Sequence, residues 1–209
     1  MRIAVINETS AADRNADILN ALEGRGHEIV NAGMTKSGAL PELTYIHTGL
    51  MAALLLNARR VDFVIGGCGT GQGFLNSVMQ YPGVFCGNIL TPLDAWLFTQ
   101  INGGNCVSLM LNQGWGWASD VNLSFIFDGL LGVESGIGYP AHRKESQRES
   151  RRRLIDISEK SHKPMHEIVL GLDDEIIKPV LAFPGIWDFL GVESLEDIAL
   201  GGALKARKP

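Results

Sequence analysis

The sequence predicts a doubly wound, three-layer α/β/α sandwich on a five-stranded parallel sheet, continued by a helical C-terminal extension. Three features of the 209 residues point there. Short β-rich apolar runs alternate with helical patterns, one run opens into a glycine-rich turn, and the composition changes after Tyr139-Pro140.

The strand-like runs cover residues 3–6, 27–32, 63–66, 84–87 and 106–111. They are apolar without alternation, the pattern of strands buried on both faces, and helices between them imply right-handed β-α-β crossovers. A Rossmann-like or flavodoxin-like core over residues 1–140 follows, with ligands expected beyond the C-terminal ends of the strands. The first helix is expected over 12–25, with Ile18, Leu19 and Leu22 inward and Gly24 and Gly26 ending it. The second, over 45–57, is apolar almost all round and needs cover on both sides, from its own core or from a second subunit; a second subunit is the preferred reading. Residues 141–209 form the extension. It opens with a basic run containing Arg143, Lys144, Arg148, Arg151, Arg152 and Arg153, and continues as short helices broken by Pro164, Pro179, Pro184 and Gly185.

Composition excludes several classes of function. At 45% hydrophobic and 20% charged, the chain can bury one sizeable core. A net charge of −5 gives no general attraction to nucleic acid or anionic membranes. No run approaches the roughly 20 apolar residues of a membrane span, and no signal-like segment precedes Arg2-Ile3-Ala4, so a cytoplasmic protein is expected. Cys68, Cys86 and Cys106 lack metal-ligand spacing and are read as thiols, Cys86 and Cys106 as core residues; no metal or other cofactor is expected.

The stretch that carries chemistry is Phe63-Val64-Ile65-Gly66-Gly67-Cys68-Gly69-Thr70-Gly71-Gln72-Gly73. Glycines at 69, 71 and 73 let backbone N–H groups converge on a developing negative charge, and the same field favours a thiolate at Cys68. A thiolate beside an oxyanion hole suits attack on an acyl group or removal of a proton next to a carbonyl. A nucleophilic cysteine is usually activated by a nearby histidine, and none lies near the end of a predicted strand, which favours proton abstraction; a cysteine hydrolase would have to draw on His47, the one supplier from the first domain. The spacing is not that of a dinucleotide loop.

These residues resemble the ribose-5-phosphate isomerase B and galactose-6-phosphate isomerase family, whose members carry an I-C-G-T-G-x-G loop with a cysteine as proton-transfer base. Tyr45-Ile46-His47 stands at the family's Tyr-Pro motif, Thr91-Pro92 at the start of its next helix, and Asn102-Gly103-Gly104-Asn105 at its H-N-D-x-N turn. The resemblance implies an aldose–ketose isomerase working through a cis-enediolate. Cys68 would be the base, with Thr70 and the N–H groups of Gly69, Gly71 and Gly73 holding the enediolate oxygen. Tyr45 and Asn102 would line the sugar site, and Arg143 and Arg148 would bind the substrate's anion, often across a subunit interface. A homodimer or a dimer of dimers with interfacial sites is the expected assembly.

Two departures bear on the substrate. The family's S-D-H-x-G reads Asn7-Glu8-Thr9-Ser10, so its Asp becomes Glu8, expected to contact the substrate at the cleft edge, and its phosphate-contacting His becomes Thr9, with Thr9 and Ser10 expected to assist the arginines in binding the anion. The histidine assigned to ring opening is Ile101, which has no proton to give. Either His47 or another group opens the ring, or the substrate is already open-chain. The first expectation is a sugar phosphate. The alternative is an acidic sugar such as a 4-deoxy-5-keto-uronate, which the longer members beginning I-N-E-x-S resemble, and the rival class is a non-catalytic sugar- or nucleotide-binding module. Trp115 and Trp117 read as packing, and Arg151 to Arg153 as a solvated helix face as readily as a binding cluster.

Overall fold

The computed structural model describes residues 1–209 and contains one parallel sheet of five strands: β1 (Arg2–Asn7), β2 (Glu28–Asn31), β3 (Phe63–Cys68), β4 (Cys86–Ile89) and β5 (Cys106–Met110). Their order is β2-β1-β3-β5-β4. The chain winds one way from β1 to β2 and the other way to β3, so the order reverses between β1 and β3. The ends of these two strands bound the crevice where such sheets bind ligands. β4 is an edge strand, because the chain skips a place that β5 later fills.

Strand parity sorts the core. Ile3, Val5, Ile65, Val107 and Leu109 pack with Ile18 of α1 (Asn15–Leu22) and Phe127 of α5 (Ser119–Leu131). Ala4, Ile6, Val64, Cys68 and Cys106 face the other way, toward α2 (Tyr45–Asn57) and α3 (Gln72–Val78). Between β4 and β5 lies α4 (Pro92–Leu97), started by the Thr91 hydroxyl, which accepts the Asp94 N–H, and followed by a wide turn over Phe98–Asn102. Helix α1 is shorter than the pattern suggested because residues 12–14 form a 3₁₀ turn. β4 begins at Cys86 because the Phe85 N–H pairs with the Asn105 side chain instead of the ladder.

The cover for α2 comes from the chain itself, which corrects the preference for a second subunit there. Every residue from Thr48 to Leu55 is buried. One side packs on the sheet and the other on α3, α8 (Asp174–Leu181) and α9 (Ile186–Leu190). Together with α7 (Met165–Gly171) and α10 (Ile198–Ala206), these helices place Val169, Ile177, Val180, Leu181, Ile186 and Leu200 in the same cluster as β1 and β3. Pro179 sits inside α8 and does not break it. No helix is long and apolar enough to cross a membrane.

β3 fits under α3 only because position 66 has no side chain: a Cβ there would lie 2.2 Å from the ring of the fully buried Phe74. We expect Gly66→Ala to cost about 1–3 kcal/mol in urea unfolding, since the ring has no free volume to enter; an unchanged midpoint would contradict this packing.

Candidate active site

Cys68 ends β3 and is 5% exposed, on the face that carries α2 and α3. The loop after it is pinned mainly by its neighbours. The Cys68 carbonyl accepts the N–H of Gly71 at 3.2 Å and of Leu111 at 3.1 Å, and the Gly69 carbonyl accepts the N–H of Asn112 at 3.0 Å. The Gly71 carbonyl accepts the buried Ser108 hydroxyl at 2.6 Å. Gly71 itself has a φ of 74°, a left-handed conformation that suits glycine. Neither Ser108 nor Asn112 stood out in the sequence, although a lone serine in an apolar strand signals a buried bond.

From the β1 side, Glu8 is buried and accepts the hydroxyl proton of Ser10, and the Ser10 Oγ accepts the Gly69 N–H at 3.0 Å. The Ser10 carbonyl accepts Asn112 Nδ2 at 2.7 Å. Thr70 Oγ1 lies 3.9 Å from the Cys68 sulfur and accepts the Gln72 N–H at 3.3 Å. Tyr45 lays its ring against Gly73, where a Cβ would sit 2.8 Å from the ring. Thr9 runs past the same end, its N–H on the Leu43 carbonyl at 2.9 Å. Cys68, Thr70, Gly69, Gly71, Gly73, Tyr45, Glu8, Thr9 and Ser10 are therefore gathered at the switch point between β1 and β3.

The expected set of amides changes. Gly69 N–H is committed to Ser10 and Gly71 N–H to the Cys68 carbonyl, so these two do not serve an oxyanion. The N–H groups of Thr70 and Gly73 have no acceptor within the protein. They, with the Thr70 hydroxyl, are the donors this loop offers.

His47, expected to act in catalysis, is engaged on both ring nitrogens. Its Nδ1 accepts the Thr44 N–H at 3.1 Å, which caps α2, and its Nε2 lies 3.2 Å from the Glu175 carbonyl. That carbonyl is the one Pro179 leaves unpaired four residues on, because proline has no N–H. Donation by His47 satisfies it and ties α2 to α8, and both ring nitrogens are used.

Asn102 and Arg148 stand at the other end of the sheet. Asn105, three residues beyond Asn102, accepts the Val64 N–H at the start of β3. From Val64 to Cys68 the strand rises roughly 13 Å. Arg148 donates to the Gly136 carbonyl at 3.1 Å, and the Gly136 N–H bonds the Thr99 carbonyl, which anchors Arg148 beside the same turn. Arg143 precedes α6 (Lys144–Ser161), is exposed and forms no ion pair. Arg151 corrects the reading of a solvated face. Its guanidinium bonds the carbonyls of Ile101 at 2.9 Å and Thr99 at 2.8 Å and the Ser135 hydroxyl at 3.1 Å. Burial, and then the nearby Arg148, hold its pKa below the usual arginine value.

A cavity of about 510 Å³ runs along edge strand β4 between this turn and α6, lined by Asn88, Phe98, Asn102, Leu154, Ile157 and His162 among others. No three His, Cys, Asp or Glu side chains come together in a way that holds a metal ion.

Residues 3–120 match the Ribose/Galactose Isomerase family. Among solved structures, a 4-deoxy-L-threo-5-hexosulose-uronate ketol-isomerase complexed with a tartrate is 34% identical, with 99% of each chain covered and a TM-score of 0.92. A ribose-5-phosphate isomerase from Vibrio parahaemolyticus is 37% identical, again with 99% of each chain covered and a TM-score of 0.92. A ribose 5-phosphate isomerase from Thermotoga maritima is 23% identical over 71% of this chain and 97% of its own, with a TM-score of 0.55, a likeness of fold. A search of curated proteins found no match.

If His47 is a strut, His47→Ala lowers stability by about 0.5–2 kcal/mol, the cost of losing a helix cap and the partner of the Glu175 carbonyl, and leaves turnover of the folded protein within a few-fold of wild type. A loss of turnover in a fully folded variant would return His47 to the chemistry.

Proposed function

The chain is a sugar isomerase of the ribose/galactose isomerase family, and from that premise we propose that it interconverts an open-chain acidic aldose and its ketose through a cis-enediolate. The observation that carries the choice of substrate is the engagement of both His47 nitrogens. With Thr9 and Ile101 at the family's two histidine positions, the Cys68 end of the chain offers no free histidine to open a sugar ring. A substrate that arrives open needs none, and a carboxylate in place of a phosphate fits the loss at position 9. The uronate ketol-isomerase with 34% identity supports this reading. The second reading, a sugar phosphate, draws support from the Vibrio parahaemolyticus isomerase at 37% identity.

In the proposed reaction the Cys68 thiolate removes the proton from the carbon next to the carbonyl, and the sulfur carries it to the neighbouring carbon. The negative charge gathers meanwhile on the carbonyl oxygen, held by the N–H groups of Thr70 and Gly73 and the Thr70 hydroxyl. Tyr45 and Thr9 wall the crevice. No metal, nucleotide or other cofactor enters the scheme, and it would run in the cytoplasm.

The substrate's anion falls to Arg148 and Arg143, with Asn102 beside them, and these groups come from a second copy. Each chain carries Cys68 at one end of its sheet and Asn102 with Arg148 at the other. A twofold axis across the strands sets each end of one copy against the opposite end of its partner, making two equivalent sites. The exposed side chains of Leu154, Ile157 and Met79, beside the β4 cavity, supply an apolar surface for that contact.

Two experiments test this. In deuterium oxide, the wild type should introduce solvent deuterium into 4-deoxy-L-threo-5-hexosulose uronate, and Cys68→Ala should lower uptake by about 10²–10⁴-fold. Uptake into ribose 5-phosphate instead would select the second reading, and uptake into neither would leave a binding module. Mixing Cys68→Ala with Arg148→Ala copies should restore about a quarter of wild-type activity, because half the dimers are hybrids with one intact site each. No recovery after subunit exchange would place both groups in one chain.

A further inference from the structure

We propose that Glu8 and Ser10 form a proton relay that moves the hydroxyl proton between the two substrate oxygens while Cys68 handles the carbon-bound proton. The proposal rests on the isomerase reading and adds the step that reading leaves without an agent. Isomerisation of a hydroxyaldehyde moves two protons, one between carbons and one between oxygens, and a single thiolate accounts for the first.

Glu8 is 4% exposed, lies at the end of β1, and takes part in none of the ion pairs of the fold. The side-chain partner of its carboxylate is the Ser10 hydroxyl. A largely buried carboxylate whose one side-chain partner is a neutral hydroxyl, set at the C-terminal end of a central strand, is a candidate for chemistry. Ser10, by contrast, is exposed, so it stands between the buried carboxylate and whatever occupies the crevice.

The hydrogen-bond accounting of Ser10 favours a relay. A serine hydroxyl has one proton and two lone pairs. The proton goes to Glu8, one lone pair takes the Gly69 N–H at 3.0 Å, and the second lone pair is unused within the protein. Gly69 follows Cys68 directly, so this free lone pair lies beside the residue that holds the carbon-bound proton.

The steps balance as follows. From the enediolate, the Cys68 thiol returns its proton to the neighbouring carbon as the adjacent hydroxyl gives its own to Ser10, and Ser10 passes its original proton to Glu8. The carbon–oxygen double bond forms where the hydroxyl was, and the former carbonyl oxygen is left as an alkoxide. Glu8 then returns its proton through Ser10 to that alkoxide, and both residues end as they began. The substrate never carries more than one extra negative charge at the reacting carbons.

The test separates carbon exchange from net conversion, using 4-deoxy-L-threo-5-hexosulose uronate and ribose 5-phosphate in deuterium oxide. Glu8→Gln should keep deuterium uptake into recovered substrate within about threefold of wild type while ketose formation falls about 100-fold, with KM little changed, whereas Ser10→Ala, which also frees the Gly69 N–H, should lose at least as much conversion. Glu8→Gln is the sharper variant, since the amide oxygen still accepts the Ser10 hydroxyl but cannot take its proton. Ser10→Thr, which keeps the hydroxyl, should restore conversion. Equal loss of uptake and conversion would reduce the pair to a brace for the Gly69 loop, and unchanged conversion in either variant would overturn the relay. Absence of uptake in the wild type would instead overturn the isomerase reading itself.

Discussion

The length of a β-strand is the constraint on which the rest depends. Cys68 closes β3, whereas Asn102 and the arginine-braced turn sit where β3 and β5 begin. Side chains cannot bridge that distance around a packed sheet. The two groups of polar residues are therefore separate within a chain, and any site that uses both must draw on two copies. The basic run at the start of the extension takes its meaning from this geometry. Arg151 is spent on holding the turn, and the proposed reaction assigns the anion to Arg148 and Arg143.

The loop at Cys68 owes its shape to its neighbours. Ser108 from β5, Asn112 from the segment after β5 and Ser10 from the segment after β1 each hold one of its carbonyl or amide groups. This arrangement leaves two donors of the loop, at Thr70 and Gly73, without a protein acceptor. Donors held at fixed positions stabilise new charge without reorganising, the advantage such a loop has over water.

Much of the fold was legible in the sequence because parallel strands buried on both faces read as unbroken apolar runs, and all five such runs became strands. Helix α2 was legible to the residue, from Tyr45 to Asn57, yet what covers it was not. Part of its cover lies over 100 residues away in the chain, in helices whose apolar faces are too short to announce a partner. The cluster around Cys68 was legible because glycine at 69, 71 and 73 is a local signal. The partners of His47 were not legible for the opposite reason. Its second partner is a carbonyl 128 residues away, set free by a proline that looked like a helix breaker. Arg151 was hidden among six basic residues of one run, since composition does not tell which of them turns inward.

The central claim is that one copy supplies the thiolate and its partner supplies the anion-binding arginine. A crystal structure with tartrate bound tests it most directly. The account predicts one carboxylate of the ligand paired with the Arg148 guanidinium of one chain, and a ligand carbon within about 4 Å of the Cys68 sulfur of the other. A ligand seated at the Cys68 loop with every contact from a single chain would contradict it.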